Sequence, residues 1–241
     1  MYPIQFENIT KSFDGREVLR NLSFTIDENK LTAIIGKSGS GKSTILKIVN
    51  GLVKPSLGKV LIFSEPINYT KLSELRLHIG YSVQGTGLFP HMTVLENITL
   101  LAKLNGKSSQ EIEDRANMLM SFVDLSSDFK NKHPHQLSGG EQQRVGICRA
   151  MILNPEMYLL DEAFGALDPT TKNEIHKELL KIQIKEPRTI VFVTHDLREA
   201  FKLADTVIII EKGVIQQIGS EEEIITKPAN QFVEDFLNSQ D

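Results

Sequence analysis

The stretch that most constrains the fold is a glycine-rich loop between an apolar segment and a helical segment. Residues 36–43 read GKSGSGKS and fit the pattern G-x-x-x-x-G-K-[ST]. The preceding residues, LTAIIG, form a short apolar strand, and the spacing after the loop predicts a helix from about Ser43 to Asn50-Gly51. A strand, loop and helix in this order indicate an α/β protein with a buried, mostly parallel sheet.

The residue types in this loop suit the binding of a phosphate chain. Glycines allow backbone N–H groups to point inward at a phosphate, and the following helix adds the positive end of its dipole. We expect Lys42 to bridge the β- and γ-phosphates and the Ser43 hydroxyl to ligate Mg²⁺. The residues predicted to surround a nucleoside triphosphate here are Gly36, Lys37, Ser38, Gly39, Ser40, Gly41, Lys42, Ser43 and Thr44.

A second segment, MYLLDE, supplies acidic groups at the end of a predicted strand. Residues 157–160 are apolar, and Asp161 and Glu162 follow where ligands bind in open α/β sheets. Asp161 suits the Mg²⁺ shell, and Glu162 suits the orientation or deprotonation of an attacking water. An ordinary acidic loop after a strand is the alternative.

The rest of the chain indicates one α/β domain with a helical insertion. Three β-prone segments, IQFENI, EVLRNL and SFTID, with a turn at Asp14-Gly15, predict an N-terminal antiparallel β subdomain. Further strands are predicted at HIGYSV and RTIVFVTH, and a hairpin turning at Lys212-Gly213. Helical spacing predominates between them, so we assign residues 1–86 and 155–241 to a P-loop NTPase core and residues 87–154 to an inserted α-helical subdomain.

Composition excludes several function classes. The net charge of −4 among 241 residues argues against non-specific nucleic-acid binding, which needs clustered basic side chains. A single cysteine excludes an internal disulfide framework and suits a reducing compartment. The apolar runs are much shorter than the roughly 20 residues that span a bilayer, so we expect a soluble protein that meets a membrane only through a partner.

The segment LSGGEQQR carries two glycines at the start of another predicted helix. Ser138 and Glu141 have the spacing of a capping box, so the segment could simply begin that helix. A cap alone does not need Gly139 and Gly140, because each glycine costs up to about 1 kcal/mol in a helix relative to alanine. The glycines favour close approach of another group to the backbone.

LSGGEQQR, together with the phosphate loop and LLDE, resembles the signature of ATP-binding-cassette ATPases, from about Ile4 to Gly219. The resemblance implies that two copies pack head to tail. Ser138, Gly139, Gly140 and Glu141 of one copy would then complete the ATP site on the phosphate loop of the other. A two-fold interface of this kind closes on itself and gives two equivalent sites.

The same resemblance implies roles for five further residues. Phe13 matches the aromatic side chain that stacks on adenine, and Val18 would pad the same purine. Gln84 matches the glutamine that senses Mg²⁺ and the γ-phosphate. Asp168 would contact the partner near the attacking water, although it also reads as a helix cap before Pro169. His195 matches the histidine that reaches the γ-phosphate.

The family resemblance implies an ATPase that powers solute transport through separate transmembrane permease subunits, at the inner face of the cell membrane. GLFPHMTVLENI is similar to osmoprotectant and polar amino-acid uptake ATPases, which favours an importer with an indirectly linked solute-binding protein. The alternatives are a split-subunit exporter or lipid transporter, or a soluble cassette ATPase acting on ribosomes or DNA. A kinase or GTPase with the same loop would not carry LSGGEQQR.

Overall fold

The computed structural model of the chain describes residues 2–85 and 87–239. The remaining positions, 1, 86, 240 and 241, lie outside the described residues, and so does the predicted core boundary at residue 86. The chain divides into two compact units. The first comprises the residues up to 76 and those from 188 onward, and the second is Leu77–Pro187.

An antiparallel sheet in the first unit is built on a long hairpin, β1 (Ile4–Phe13) and β2 (Arg16–Ile26), with β4 (Leu57–Ile62) and β5 (Glu65–Pro66) in the order β2-β1-β4-β5. Asp14 and Gly15 form the hairpin turn with φ of 48° and 78°, as the DG pair predicts. The cross-strand partners Phe6 and Phe24 stack with ring centroids 4.6 Å apart. The predicted segments EVLRNL and SFTID are one continuous strand.

A second set of strands in the first unit is largely parallel. β3 (Leu31–Ile35) pairs in parallel with both β8 (Thr189–Thr194) and β9 (Thr206–Glu211), and β10 (Val214–Gly219) pairs antiparallel with β9. Every residue of β3 and β8 is buried, which explains their continuous apolar sequences. The β9–β10 turn lies at Lys212-Gly213, as predicted.

Short helices follow these strands: α1 (Lys42–Val49), α2 (Leu72–Leu77), α7 (Leu197–Leu203), α8 (Glu221–Thr226) and α9 (Gln231–Asn238). α1 begins and ends within a residue of its predicted limits. α8 begins at a capping box formed by Ser220 and Glu223, which satisfies backbone N–H groups at its start.

The second unit combines two parallel strands with four longer helices. β6 (Ile79–Ser82) pairs with β7 (Met157–Asp161), and the helices are α3 (Val94–Leu104), α4 (Ser109–Phe122), α5 (Gly139–Met151) and α6 (Pro169–Lys185). α5 packs against α3, α4 and β6, and its Cys148 is buried, as expected of a core position. The helices predicted within 87–154 are therefore present. The exact limits of a separate helical subdomain remain a prediction.

The predicted α/β class, with parallel strands and a separate antiparallel sheet, is confirmed. Within the described ranges, no helix is long and apolar enough to cross a membrane.

Candidate functional site

The glycine-rich loop of the first unit runs from the end of β3 into α1. Gly41 occupies the cap position of α1 with φ of 104°, and no side chain caps this helix. The first N–H groups of a helix lack partners within the helix, and the helix dipole concentrates partial positive charge there. The start of α1 therefore has the properties of an anion-binding site.

Lys42 holds its ammonium group against this loop. Its side chain is 6% exposed, and Nζ donates hydrogen bonds to the carbonyl oxygens of Gly36 (2.8 Å) and Lys37 (3.0 Å). The buried Lys42 ammonium adds its positive charge to that of the helix dipole at the start of α1. Ser43 and Thr44 follow on the first turn of α1, both partly exposed.

The loop also lies tightly against the β9–β10 hairpin. A Cβ atom on Gly36, which has φ of +155°, would be 2.0 Å from the Ile210 carbonyl oxygen. The Gly213 N–H donates to the Ser40 carbonyl oxygen at 3.0 Å. These contacts fix both ends of the loop, so its shape depends on the hairpin and on glycine at position 36.

Three other predicted residues also lie in the first unit, and two of them, His195 and Val18, adjoin the loop elements. His195 directly follows Thr194, the partner of Ile35 in the β3–β8 register, and its side chain is exposed. Val18 lies next to Gly41, where an added Cβ would be 3.1 Å from the Val18 carbonyl oxygen. Phe13 is 43% exposed at the end of β1, and Lys11 Nζ lies 4.6 Å from its ring centroid. An exposed aromatic face is available for stacking.

In the second unit, Asp161 ends β7 with its side chain almost wholly buried, at 1% exposure. The Tyr81 hydroxyl lies 3.4 Å from Asp161 Oδ2. Burial raises the pKa of Tyr81 above its ordinary value, and the negative charge of Asp161 raises it further. The phenol therefore stays protonated and can donate to the carboxylate.

Glu162 combines a strained backbone with three fixed contacts. Its φ is +50°, in the left-handed region that costs a non-glycine residue about 1–2 kcal/mol. Gln84 Nε2 donates to Glu162 Oε2 at 3.0 Å, while Gln143 Nε2 and the Gly165 N–H donate to the Glu162 carbonyl oxygen at 2.7 and 3.2 Å. Strained residues of this kind persist where surrounding contacts fix them, and they cluster at functional sites.

The LSGGEQQR segment begins α5 with a capping box. The Ser138 Oγ accepts from the Glu141 N–H at 3.3 Å, and Glu141 Oε2 accepts from the Ser138 N–H at 2.7 Å. The hydrogen bond from the Ser138 backbone lowers the pKa of Glu141. The capping interpretation is confirmed. Ser138 and Gly139 are nevertheless exposed, and outside its own helix an added Cβ on Gly139 would meet no atom of the described residues within 4 Å.

Asp168 caps α6, with Pro169 as the first helical residue, as the sequence predicts. Its Oδ1 accepts from the N–H groups of Thr170 (3.1 Å) and Thr171 (3.0 Å). Hydrogen bonds from the Thr171 side chain and backbone lower the pKa of Asp168. The carboxylate is exposed and charged at neutral pH. Its role toward a partner remains a prediction.

The sequence analysis did not identify three residues whose side chains make hydrogen bonds within the second unit: Tyr81, Asn97 and Gln143. Asn97 is wholly buried, its Oδ1 accepts from the Phe89 N–H, and its Nδ2 donates to the carbonyls of Phe89, Met92 and Thr93. An asparagine within the apolar spacing of α3 was the available signal, because buried polar groups need partners.

Comparison with known proteins identifies the family. The sequence profile described as "ABC transporter" matches residues 19–165, more than half of the chain. The chain belongs to the ABC transporter family. The matched part of this ABC transporter family member includes the phosphate loop, the LSGGEQQR segment and both Asp161 and Glu162.

Two curated relatives of this ABC transporter family chain are transport ATP-binding proteins. The choline transport ATP-binding protein OpuBA of Bacillus subtilis is 42% identical over 98% of this chain and 62% of its own length. The glycine betaine uptake system ATP-binding protein YehX of Escherichia coli is 41% identical over 97% of this chain and 76% of its length. The chain thus spans less than two thirds of OpuBA.

Among solved structures, the ATP-binding cassette MJ0796, in a dimeric post-hydrolysis state bound to ADP and Pi, superposes with a TM-score of 0.85. It is 33% identical, and the match covers 90% of this chain and 98% of MJ0796. Because of this similarity, we assign to the chain the fold of an ATP-binding cassette.

Proposed function

We propose that this chain is the ATP-binding and ATP-hydrolysing subunit of a solute importer. The observation that carries the proposal is Lys42, whose buried ammonium lies against a glycine loop at an uncapped helix start. Backbone N–H groups and a fixed cation together bind the phosphates of a nucleoside triphosphate. Phe13, which is 43% exposed, is proposed to stack on adenine, and Val18 is proposed to pad the same purine.

Glu162 is proposed to orient and deprotonate the attacking water. Gln84 positions its carboxylate, and the fixed backbone limits where that carboxylate can move. A carboxylate held in place by hydrogen bonds can accept a proton without reorganising, which is how positioned bases accelerate hydrolysis. His195 is proposed to contact the γ-phosphate, since the exposed ring adjoins the end of β8.

Mg²⁺ is the proposed metal, because the oxygen donors of the predicted residues are of the kind that it prefers. Within residues 2–85 and 87–239, no group of three or more His, Cys, Asp or Glu side chains is placed to hold a metal. Mg²⁺ typically takes one or two protein oxygens and completes its shell with phosphates and water. The Ser43 hydroxyl, the Asp161 carboxylate and the Gln84 amide oxygen are the donors we assign to it. Bound Mg²⁺ would neutralise charge on the phosphates.

A second copy of the chain is the proposed partner for hydrolysis. Ser138 and Gly139 are exposed at the start of α5, so their backbone can approach a phosphate held by another molecule. The dimeric state in which MJ0796 was solved supports a dimer here. In the proposed head-to-tail arrangement, Ser138, Gly139, Gly140 and Glu141 of one copy complete the ATP site of the other, and Asp168 faces the partner.

For transport, we propose an osmoprotectant system in which this chain lies on the inner face of the cell membrane against permease subunits. The supporting observation is that the relatives OpuBA and YehX are named for choline transport and glycine betaine uptake. These solutes carry a quaternary ammonium group, and a solute-binding protein would deliver them to the permease. Uptake of labelled choline or glycine betaine by vesicles containing the co-purified permease tests this; ATP-driven export would contradict it.

Phosphate release by the purified chain tests the ATPase proposal. We expect Mg²⁺-dependent hydrolysis, weak ATP binding by Lys42→Ala, and normal ATP binding by Glu162→Gln with release slowed about 10²- to 10⁴-fold, the contribution of a general base. Glu156→Gln is the matched control, because Glu156 lies just before β7 and contacts His78 rather than Gln84. Rapid turnover by Glu162→Gln would remove Glu162 from this role.

A further inference from the structure

Gln143 connects α5 to the segment that follows β7. Its side chain is 6% exposed. Nε2 donates to the Glu162 carbonyl oxygen at 2.7 Å, and Oε1 accepts from the Ala166 N–H at 2.8 Å. One amide group therefore uses both its donor and its acceptor on backbone atoms of a single loop, residues 162–167.

A second contact lies one helical turn earlier on the same face of α5. A Cβ atom on Gly140 would be 3.0 Å from the Ala166 carbonyl oxygen, which is a tight approach. Positions 140 and 143 are three residues apart, so they face the same direction on a helix. The absence of a side chain at Gly140 lets the loop lie close to α5. The hydrogen bonds of Gln143 then fix the position of the loop along the helix.

The loop needs such support because of the Glu162 backbone. Its left-handed φ is unfavourable for a residue with a side chain, and other conformations are available to a free loop. Gly165 lies in the same loop, so its bond to the Glu162 carbonyl cannot anchor the loop to anything outside it. Gln143 supplies that external anchor from a helix.

We propose that Gln143 is a positioning residue that joins the Ser138–Glu141 segment and the Glu162–Asp168 segment into one body. The proposal rests on the proposed ATPase function and on its head-to-tail dimer. There, Ser138 and Gly139 contact the nucleotide of the partner, while Glu162 acts on the nucleotide of its own chain. Gln143 thus couples the two ATP sites: movement of one segment on phosphate contact displaces the other.

Gln143→Met tests the proposal, because methionine has a similar length and removes both hydrogen bonds. Gln142→Met is the matched control, since the Gln142 amide donates to the Leu137 carbonyl oxygen at 3.1 Å and not to the loop of residues 162–167. We expect Gln143→Met to lower kcat about tenfold, or about 1.4 kcal/mol, with KM for ATP nearly unchanged. It should also lower the Hill coefficient for ATP toward one. Gln142→Met should retain the wild-type values.

Amide hydrogen exchange gives a readout that does not depend on activity. Gln143→Met should speed exchange across residues 162–168 without changing exchange in the middle of α5, which a general loss of stability would also affect. If Gln143→Met does not fold, Gln143→Glu decides: it keeps the acceptor for Ala166 and loses the donor to Glu162, so Ala166 should stay protected while kcat falls.

Equal kcat, Hill coefficient and loop exchange in the Gln143 and Gln142 variants would overturn the positioning role. Uniformly faster exchange throughout the second unit would also overturn it, because it would show a general packing role. A wild-type chain that lacks ATPase activity would instead refute the proposed function, and the exchange comparison would still test whether Gln143 fixes the loop.

Discussion

Replacing Gly36 with alanine tests how the phosphate loop is held. The new Cβ would lie 2.0 Å from the Ile210 carbonyl oxygen, whereas real contacts of this kind are at least 3.0 Å, so loop or strand must move by about 1 Å. Overpacking of this sort costs about 1–3 kcal/mol. The positive φ adds about 1–2 kcal/mol for a residue with a side chain.

Gly39→Ala is the control that separates these two costs. Gly39 also has a positive φ, of +77°, but an added Cβ there would meet no atom within 4 Å in the part of the chain that the structure describes. It should therefore lose only the backbone part, about 1–2 kcal/mol. Because 1 kcal/mol shifts Tm by about 2–4 °C in a protein of this size, Gly36→Ala should melt at least about 2–4 °C below Gly39→Ala.

Thermal unfolding followed by circular dichroism measures this difference, and ATP titration of the same samples measures its effect on binding. We expect weaker ATP binding by Gly36→Ala, because the Gly36 carbonyl holds the Lys42 ammonium. Equal melting temperatures for the two variants would refute the argument that the close contact with Ile210 fixes the loop.

Two further substitutions test residues outside the loop. Phe13→Ala should raise the Kd for ATP about 5- to 150-fold, since stacking on a base contributes about 1–3 kcal/mol. Phe13→Tyr should bind normally, and titration with a fluorescent ATP analogue measures both. Asn97→Ala should lower the free energy of unfolding by about 2–3 kcal/mol in urea titrations, because it leaves buried backbone groups without partners. A loss below about 0.5 kcal/mol would contradict that reading of its hydrogen bonds.

The features that could be predicted from the sequence are those that short segments of the chain determine by themselves. The glycine-rich loop between a strand and a helix, the turns at Asp14-Gly15 and Lys212-Gly213, and the capping box at Ser138 are determined by nearby residues, and the structure has them as expected. The continuous apolar runs at β3 and β8 likewise indicate buried parallel strands without further information.

Features that depend on distant partners could not be predicted. EVLRNL and SFTID form one strand, β2, because both pair with β1. Bulges in this pairing keep the apolar residues on one face. The hydrogen bonds of Tyr81, Asn97 and Gln143 involve groups that only folding brings near. The sequence around a glutamine in a helix does not indicate which groups its amide will contact. Glu162 was predicted from chemistry, but its left-handed backbone was not.

The central claim is that hydrolysis requires the phosphate loop of one copy and Ser138–Glu141 of another. Lys42→Ala disables the first part. Gly139→Glu disables the second by adding bulk and negative charge where the phosphate would approach, and its Cβ would meet no atom within 4 Å among the described residues outside its own helix. Each variant alone should be inactive in phosphate release.

An equal mixture of the two variants decides the matter. In a head-to-tail dimer, about half of the molecules would be mixed, and each mixed dimer would have one intact site, so activity should return to at most about a quarter of the wild-type value, and to less if the two sites are coupled. If each chain instead completed its own site, every site in the mixture would carry a defect. A mixture as inactive as its components, at concentrations where the variants dimerise, would contradict the account.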